Sequence, residues 1–284
     1  MALKSCGEEY RSVAAGEQYA SPPKKLPDIS ECKFYHSIDL PGLGEQRGQW
    51  DLRPGIKDYL GAADFSGKRT LEIGTANGFV CFELERRGAD VVAFDLREDL
   101  TYDAPPLGDR YLHPEIYRDG LRRIRNAFWL GHALLHSRAR VAYGHANKLP
   151  SFLGQFDVTV IANVLQHLQD PVGAIMQAAS ISRSIVITEA DWMAGKNDDL
   201  PGMIIFDNDN PFTWYQVKPK LIEVVLRRFG FGNFRYTTHD QLFLQDAKHT
   251  AEAGPVGGPQ IPLTVPHFTV TAELIGPSLR QKAL

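Results

Sequence analysis

Cysteine is scarce in this chain: Cys6, Cys32 and Cys81 are the three thiols among 284 residues. They are scattered, and none has the close Cys or His neighbours of a zinc site, which excludes a disulfide framework and a cysteine-based metal centre. An excess of charge of one sign is missing too. Lys and Arg number 31 against 34 Asp and Glu, a formal net charge of −3. Such a balance gives no global basic field to drive tight, salt-dependent binding to a nucleic-acid backbone. No apolar run approaches the length of a membrane span, and the opening stretch MALKSCGEEYRSVAAGEQYA has no apolar signal-like centre. The expectation is a soluble protein of the reducing cytoplasm with no membrane partner. No internal repeat is visible. With 43% hydrophobic and 23% charged residues, the composition is that of a globular chain, long enough for one sizeable α/β core with appendages.

Residues 1–30 are polar and end in SPPKKLPD, an extended arm, while 31–60 carry aromatics among turn residues and form a packed lead-in. From residue 69 the pattern changes. RTLEIG is a short apolar run ending in glycine, GFVCFELERRG places Phe79, Phe82 and Leu84 at helical positions before Gly88, and DVVAFD is continuously apolar. Together they predict one strand–helix–strand unit. After a loop, EIYRDGLRRIRNAFWLGHALLHS predicts a helix with the apolar stripe Tyr117, Leu121, Ile124, Phe128 and Leu135. Its basic cluster, Arg118, Arg122, Arg123 and Arg125, reads as a solvated face opposite that stripe. RVAYG, FDVTVIANV and SIVITEAD are strand-like, PVGAIMQAAS and KPKLIEVVLRRFG helical. NFRYTTHD and HFTVTAEL predict a closing antiparallel pair around the Gly/Pro-rich loop AEAGPVGGPQIPLTVP. This alternation predicts an α/β, doubly wound, mostly parallel sheet.

In such a sheet a ligand lies beyond the carboxyl ends of the strands. Gly74 ends the first strand, and Ala76 and Gly78 follow at alternate positions, where small residues let backbone approach a ligand closely. Asp95 ends the second strand about twenty residues on, where an acid can accept hydrogen bonds from both ribose hydroxyls. The spacing is G-x-A-x-G with Glu72 two residues before the first glycine, rather than the G-x-G-x-x-G of a dinucleotide fold. A nicotinamide dehydrogenase is the distant alternative.

LEIGTANG resembles motif I of class I S-adenosylmethionine (SAM)-dependent methyltransferases, [DE]-x-G-x-G-x-G, and FDVTVIANVLQHLQDP resembles their later strand-and-turn motif, which brings in Asn163. The resemblance implies a Rossmann-like seven-stranded sheet with an antiparallel last strand, behind an N-terminal lead-in or lid. It divides the chain into an arm and lid over 1–60 and a SAM-binding domain over 61–284, with a substrate-side insertion at about 192–216. It implies SAM as cofactor, S-adenosylhomocysteine (SAH) as product, and a cofactor site of Glu72, Gly74, Ala76, Gly78, Asp95, Asn147 and Asn163. In GHANKLP, His145 and Asn147 stand where the family usually has an acid for the adenine amine. The lead-in FYHSIDL…GQWDLRPGIKDYLG and the stretch NPFTWYQVKPKLIEVVLRRFGF are similar to the group related to tRNA wobble-uridine carboxymethyltransferases. Those enzymes clamp an extra cofactor carboxylate with cationic and phenolic side chains. Here Gln49 and Gln166 occupy two of the clamp positions, and a buried carboxylate without a cation is costly, so ordinary SAM is expected.

Methyl transfer to a hydroxyl requires alignment, exclusion of water and removal of a proton, a step that histidine performs near neutral pH. His145 and His167 follow strands and are candidate bases, each with a competing reading as cofactor contact or turn packing. Glu189 and Asp191 end SIVITEAD and are candidates to orient a polar acceptor, the competing reading being loop capping. His36, Trp50, Trp214 and Tyr215 are candidate acceptor contacts; Phe34, Tyr35 and Phe212 share their neighbourhood, and packing competes for all of them. No metal is predicted; a magnesium ion shared by Asp191 and the acidic stretch at 207–210 is the alternative. The sequence therefore predicts O-methylation of a small polar molecule, a saccharide or natural product, with tRNA modification and non-catalytic SAM binding as alternatives. A homodimer is left open.

Overall fold

The computed structural model describes residues 19–98, 114–196, 199–206, 213–246 and 260–276. Cys6, the arm before residue 19, the side chain of Tyr117, Phe212, the acidic stretch 207–210 and the loop 247–259 lie outside the described residues.

The lead-in contributes an antiparallel pair, β1 (Ile38–Leu40) and β2 (Gly44–Gln46), then the two-residue strand β3 (Trp50–Asp51) and the short helix α1 (Ile56–Tyr59). The strand–helix–strand unit follows as β4 (Arg69–Ile73), α2 (Phe79–Arg86) and β5 (Asp90–Leu96). Next come α3 (Pro114–Leu134), β6 (Arg140–Gly144), β7 (Phe156–Ala162), α4 (Pro171–Ser180) and β8 (Ser182–Ala190). The insertion forms a second small pair, β9 (Met203–Ile205) and β10 (Tyr215–Val217), before α5 (Pro219–Arg228) and the closing strands β11 (Phe231–Asp246) and β12 (Gln260–Leu274).

The main sheet runs β3-β11-β12-β8-β7-β4-β5-β6. Its parallel body is β8-β7-β4-β5-β6, and β12 enters antiparallel beside β8. The strand count corrects the expectation of seven: the sheet has eight, because the lead-in adds β3 at the edge through Asp51 opposite Leu242 and Trp50 opposite Phe243. The rings of that last pair lie 4.7 Å apart, the kind of cross-strand aromatic contact that makes a very short edge strand hold.

Two further corrections come from packing. Arg125 does not lie on a solvated face: it is 9% exposed, donates from Nη2 to the Leu96 carbonyl at 2.9 Å, and stacks over the Tyr143 ring at 4.4 Å. Residues 125–130 of α3 are all buried, so its inner surface is wider than a single stripe. The Gly/Pro-rich loop is also shorter than expected, since β12 begins at Gln260 and includes Pro262 and Pro266. Asp191 N–H donates to the Pro266 carbonyl at 2.7 Å, so Pro266 faces the β8 side. Pro262, four residues earlier, faces the same side beyond the end of β8. Proline is tolerated there because the missing N–H has no strand to reach.

Buried side chains form a layer on each face of the sheet. One joins Leu71, Ile73 and Phe94 to α4 and α5 through Ile175, Ile222 and Leu226. The other joins Val91 and Val160 to the lead-in, α2 and α3 through Trp50, Leu52, Tyr59, Phe79 and Phe128. Among the described residues no helix is long and apolar enough to cross a membrane.

Candidate active site

Because β4 to β8 are parallel, their carboxyl ends, at Ile73, Leu96, Gly144, Ala162 and Ala190, share one edge of the sheet. The turn after β4 is left-handed at Gly74 (φ 85°), Ala76 (φ 48°) and Gly78 (φ 87°). A Cβ at Gly74 would collide with Val164, and one at Gly78 would lie 2.6 Å from the Phe82 ring and 2.7 Å from Phe128. Both glycines are thus demanded by φ and by close approach.

Asp95 fastens this turn to β5. Its Oδ2 accepts from Ala76 N–H at 2.7 Å and its Oδ1 from Leu96 N–H at 2.6 Å. Burial holds its pKa above the ordinary value, opposed by the Leu96 hydrogen bond, the Arg125 charge and the Ala76 hydrogen bond. Below the turn Glu72 is buried, and burial, with Asp95 nearby, pushes its pKa up to about 8. Glu72 Oε2 has no hydrogen-bond partner in the protein. A left-handed small-residue turn, a carboxylate at the end of β5 and a buried acid with an unpaired oxygen fit a nucleoside-bearing cofactor with an ammonium group.

Asn77, inside the turn, was not singled out by the sequence. Its Oδ1 accepts from His36 N–H at 2.7 Å and Tyr35 N–H at 3.2 Å, and its Nδ2 donates to the His36 carbonyl at 3.1 Å. His36 is therefore sealed under the lead-in rather than presented to solvent, and burial pushes its pKa down to about 3. Trp50 is likewise buried, with Nε1 donating to the Tyr35 hydroxyl at 3.2 Å and its ring 5.3 Å from His267.

The turn after β7 is a 3-10 turn, Leu165–His167, capped from β8: Glu189 Oε1 accepts from Val164 N–H at 3.1 Å and Leu165 N–H at 2.9 Å. Glu189 is buried, and burial, offset by these N–H groups, raises its pKa to about 8. Its Oε1 builds the turn, the loop-capping arrangement that competes with the expected acceptor-orienting role. Asn163 (φ 54°) is also taken up by the scaffold. Its Nδ2 reaches the Tyr59 hydroxyl at 3.2 Å and His267 Nε2 at 3.1 Å, and its Oδ1 accepts from Ala190 N–H at 2.7 Å. Its side chain is thus engaged within the protein, joining Tyr59, His267 and the end of β8.

After β6, Asn147 N–H donates to His145 Nδ1 at 3.2 Å, and Asn147 Nδ2 to the Asp170 carbonyl at 2.6 Å, while Asn147 Oδ1 has no partner in the protein. His167 closes the turn after β7 and is half-buried. After β8, Asp191 Oδ1 accepts from Lys218 Nζ at 3.2 Å, a pair in which Lys218 is 1% exposed. Trp192 then stands exposed beside it. Trp214 and Tyr215 stack on each other at 6.2 Å, and Trp214 N–H donates to the Gln166 carbonyl at 2.7 Å, tying the insertion to the turn after β7. Among the described residues no group of three or more His, Cys, Asp or Glu could hold a metal.

Comparison with known proteins gives three kinds of match. A family model described as a methyltransferase domain matches residues 46–233. The ubiquinone biosynthesis O-methyltransferase of Aeromonas salmonicida (strain A449) is 28% identical over 117 residues, which is 41% of this chain and 40% of that protein. Among solved structures, the N-terminal domain of EvdMO1 with SAH and D-fucose is 16% identical, with a TM-score of 0.49 over 84% of this chain and 90% of that one. Magnesium protoporphyrin IX methyltransferase from Synechocystis PCC 6803 with bound SAM is 14% identical, with a TM-score of 0.45 over 78% and 77%.

Proposed function

This chain belongs to the methyltransferase-domain family and uses SAM, and from that premise we propose that it methylates a hydroxyl of a small polar molecule. The observation that carries the reading is the convergence at one sheet edge of the Gly74–Gly78 turn, the Asp95 carboxylate and the polar residues after β6, β7 and β8. The cofactor supplies a methyl group on a sulfonium, already activated toward displacement.

The chain's own residues supply the rest. The left-handed turn and Asp95 hold the nucleoside, and the unpaired Glu72 oxygen accepts from the ammonium of the amino-acid end. Asn147 presents its unpaired Oδ1 to the base. The hydrogen bond from Asn147 N–H engages Nδ1 of His145 and ties that ring to the cofactor side of the site. Proton removal from the acceptor then falls to His167, and Asp191 orients the acceptor. Tyr215 and Trp214 form the far wall.

The test is methyl transfer from labelled SAM into a fractionated cell extract. Label in the small-molecule fraction is expected. Label in tRNA would replace the acceptor class with RNA, and SAM binding without any transfer would replace the enzyme with a binding protein.

A further inference from the structure

Among the described residues, Trp192 is a large aromatic at the carboxyl edge that the structure leaves open. It is 47% exposed, yet it is fixed at several points. Its backbone N–H donates to Gln216 Oε1 at 2.9 Å, and its indole Nε1 reaches Gln166 Oε1 at 3.4 Å. Its ring lies 6.3 Å from that of the buried Trp50, inclined by 58°. Both glutamines are themselves buried, Gln166 at 6% exposure and Gln216 at 1%. Gln216 Nε2 in turn donates to the Ala190 carbonyl at 3.0 Å, which locks it to the end of β8. An exposed tryptophan whose edge is held by buried amides is a rigid flat surface offered outward, at little entropic cost to whatever lies on it.

The residue before it supplies the complementary chemistry. Asp191 accepts from Lys218 through Oδ1 at 3.2 Å, and Lys218 Nζ also donates to the Met193 carbonyl at 3.0 Å. The lysine fixes the direction of the carboxylate while its second oxygen, Oδ2, remains as an acceptor. Gln166 belongs to the same Leu165–His167 turn as the proposed base, so its hydrogen bond to the indole ties Trp192 to that turn.

Building on the proposed O-methylation, we infer that Trp192 and Asp191 form the acceptor subsite, and that the acceptor is a hydroxylated ring. Its C–H or π face lies on the indole, and a hydroxyl neighbouring the methylated one donates to Asp191 Oδ2. Lys218 is a positioning residue that acts through Asp191. A sugar and a phenol share this chemistry.

The experiment is hydroxyl-radical footprinting of the full-length, SAH-loaded protein, with and without small-molecule extract separated into a saccharide fraction and a phenolic fraction. Trp192 is expected to be protected by one fraction, which identifies the source. Protection together with methyl transfer supports both the subsite and the proposed function. Protection without transfer supports the subsite and sinks the O-methylation. Trp192 oxidised equally under all conditions overturns the subsite, whatever the transfer assay shows. In the transferring fraction, Trp192→Ala should raise KM for the acceptor about tenfold with SAH affinity kept, and Trp192→Phe should restore most of it. An unchanged KM overturns the assignment.

Discussion

The Asn77 carboxamide grips the backbone of His36 from both sides, taking its N–H at 2.7 Å and donating to its carbonyl at 3.1 Å. Asn77 is itself part of the left-handed turn between Gly74 and Gly78. The lead-in and the cofactor turn are thus one hydrogen-bonded unit, and the lead-in is further joined to the sheet through Trp50 and Phe243. The segment expected to act as a lid is anchored through Asn77 to the turn after β4.

Asn77→Ala removes two buried hydrogen bonds and one part-buried one, and takes their Asn77 partner from backbone groups of Tyr35 and His36. Urea unfolding should show a loss of about 2–4 kcal/mol, with weaker SAH binding because the turn loses its support. A stability change near zero would mean that the grip carries no energy.

Asp95 holds the turn through Ala76 and Leu96, and the ribose is its proposed ligand. Asp95→Ala should weaken SAH binding at least about tenfold, roughly 1.4 kcal/mol, read by calorimetry. Unchanged affinity would remove Asp95 from the cofactor site.

Glu189 sets a pH dependence of stability whose sign follows from its environment. Burial raises its pKa from 4.5 to about 8 in the folded chain. Between those values the folded state keeps a proton that the unfolded state releases, so stability is full below the unfolded value and falls as pH rises toward 8. Glu72 adds a fall of the same sign. In Glu189→Gln the amide oxygen still caps Val164 and Leu165 without titrating, so its Tm should decline less between pH 5.5 and 8 than that of the parent. Parallel declines would show that Glu189 is ionised throughout.

Lys218 and Asp191 are a buried pair, and removing one partner strands the other. Lys218→Met should cost about 3–5 kcal/mol in denaturant unfolding. Lys218→Met combined with Asp191→Leu should recover a substantial part of that loss. A double variant as unstable as the sum of the singles would show that the two residues are not coupled.

The two histidines separate by kinetics. His167→Ala should lower kcat with SAH affinity kept, whereas His145→Ala should act mainly on cofactor affinity. If His167→Ala turns over at the parental rate, proton removal belongs to another group.

Local pattern carried the strand–turn–helix–strand from Arg69 to Leu96, because glycine at φ 85° and φ 87° and an acid at a strand end are demands of the backbone itself. The antiparallel closing pair was legible in its alternation, but not its length: Pro262 and Pro266 read as loop, yet they lie in β12 just past its pairing with β8, which spans His267 to Glu273. Arg125 was misplaced for a related reason. A helical stripe gives direction but not width, and the arginine stem packs against Tyr143 while its head reaches Leu96.

At the site, residue type and spacing named the right neighbourhood and left the roles open. Glu189 and Asp191 are equivalent in sequence, two acids at the end of one strand. Asp191 lies one residue past the end of β8, where the chain has left the strand, so Glu189 caps the Leu165–His167 turn while Asp191 meets Lys218, twenty-seven residues away in the chain. Asn77 stood at an unspecified position of the LEIGTANG motif and Trp192 outside the quoted motifs, and both matter through partners distant in sequence, His36 and Gln166. The sequence by itself determined the turn chemistry, the strand and helix periods and the family. Which acids are spent on the scaffold, which aromatic stays open and how the lead-in is fastened were decided by the tertiary structure, because these depend on what packing brings within hydrogen-bond reach.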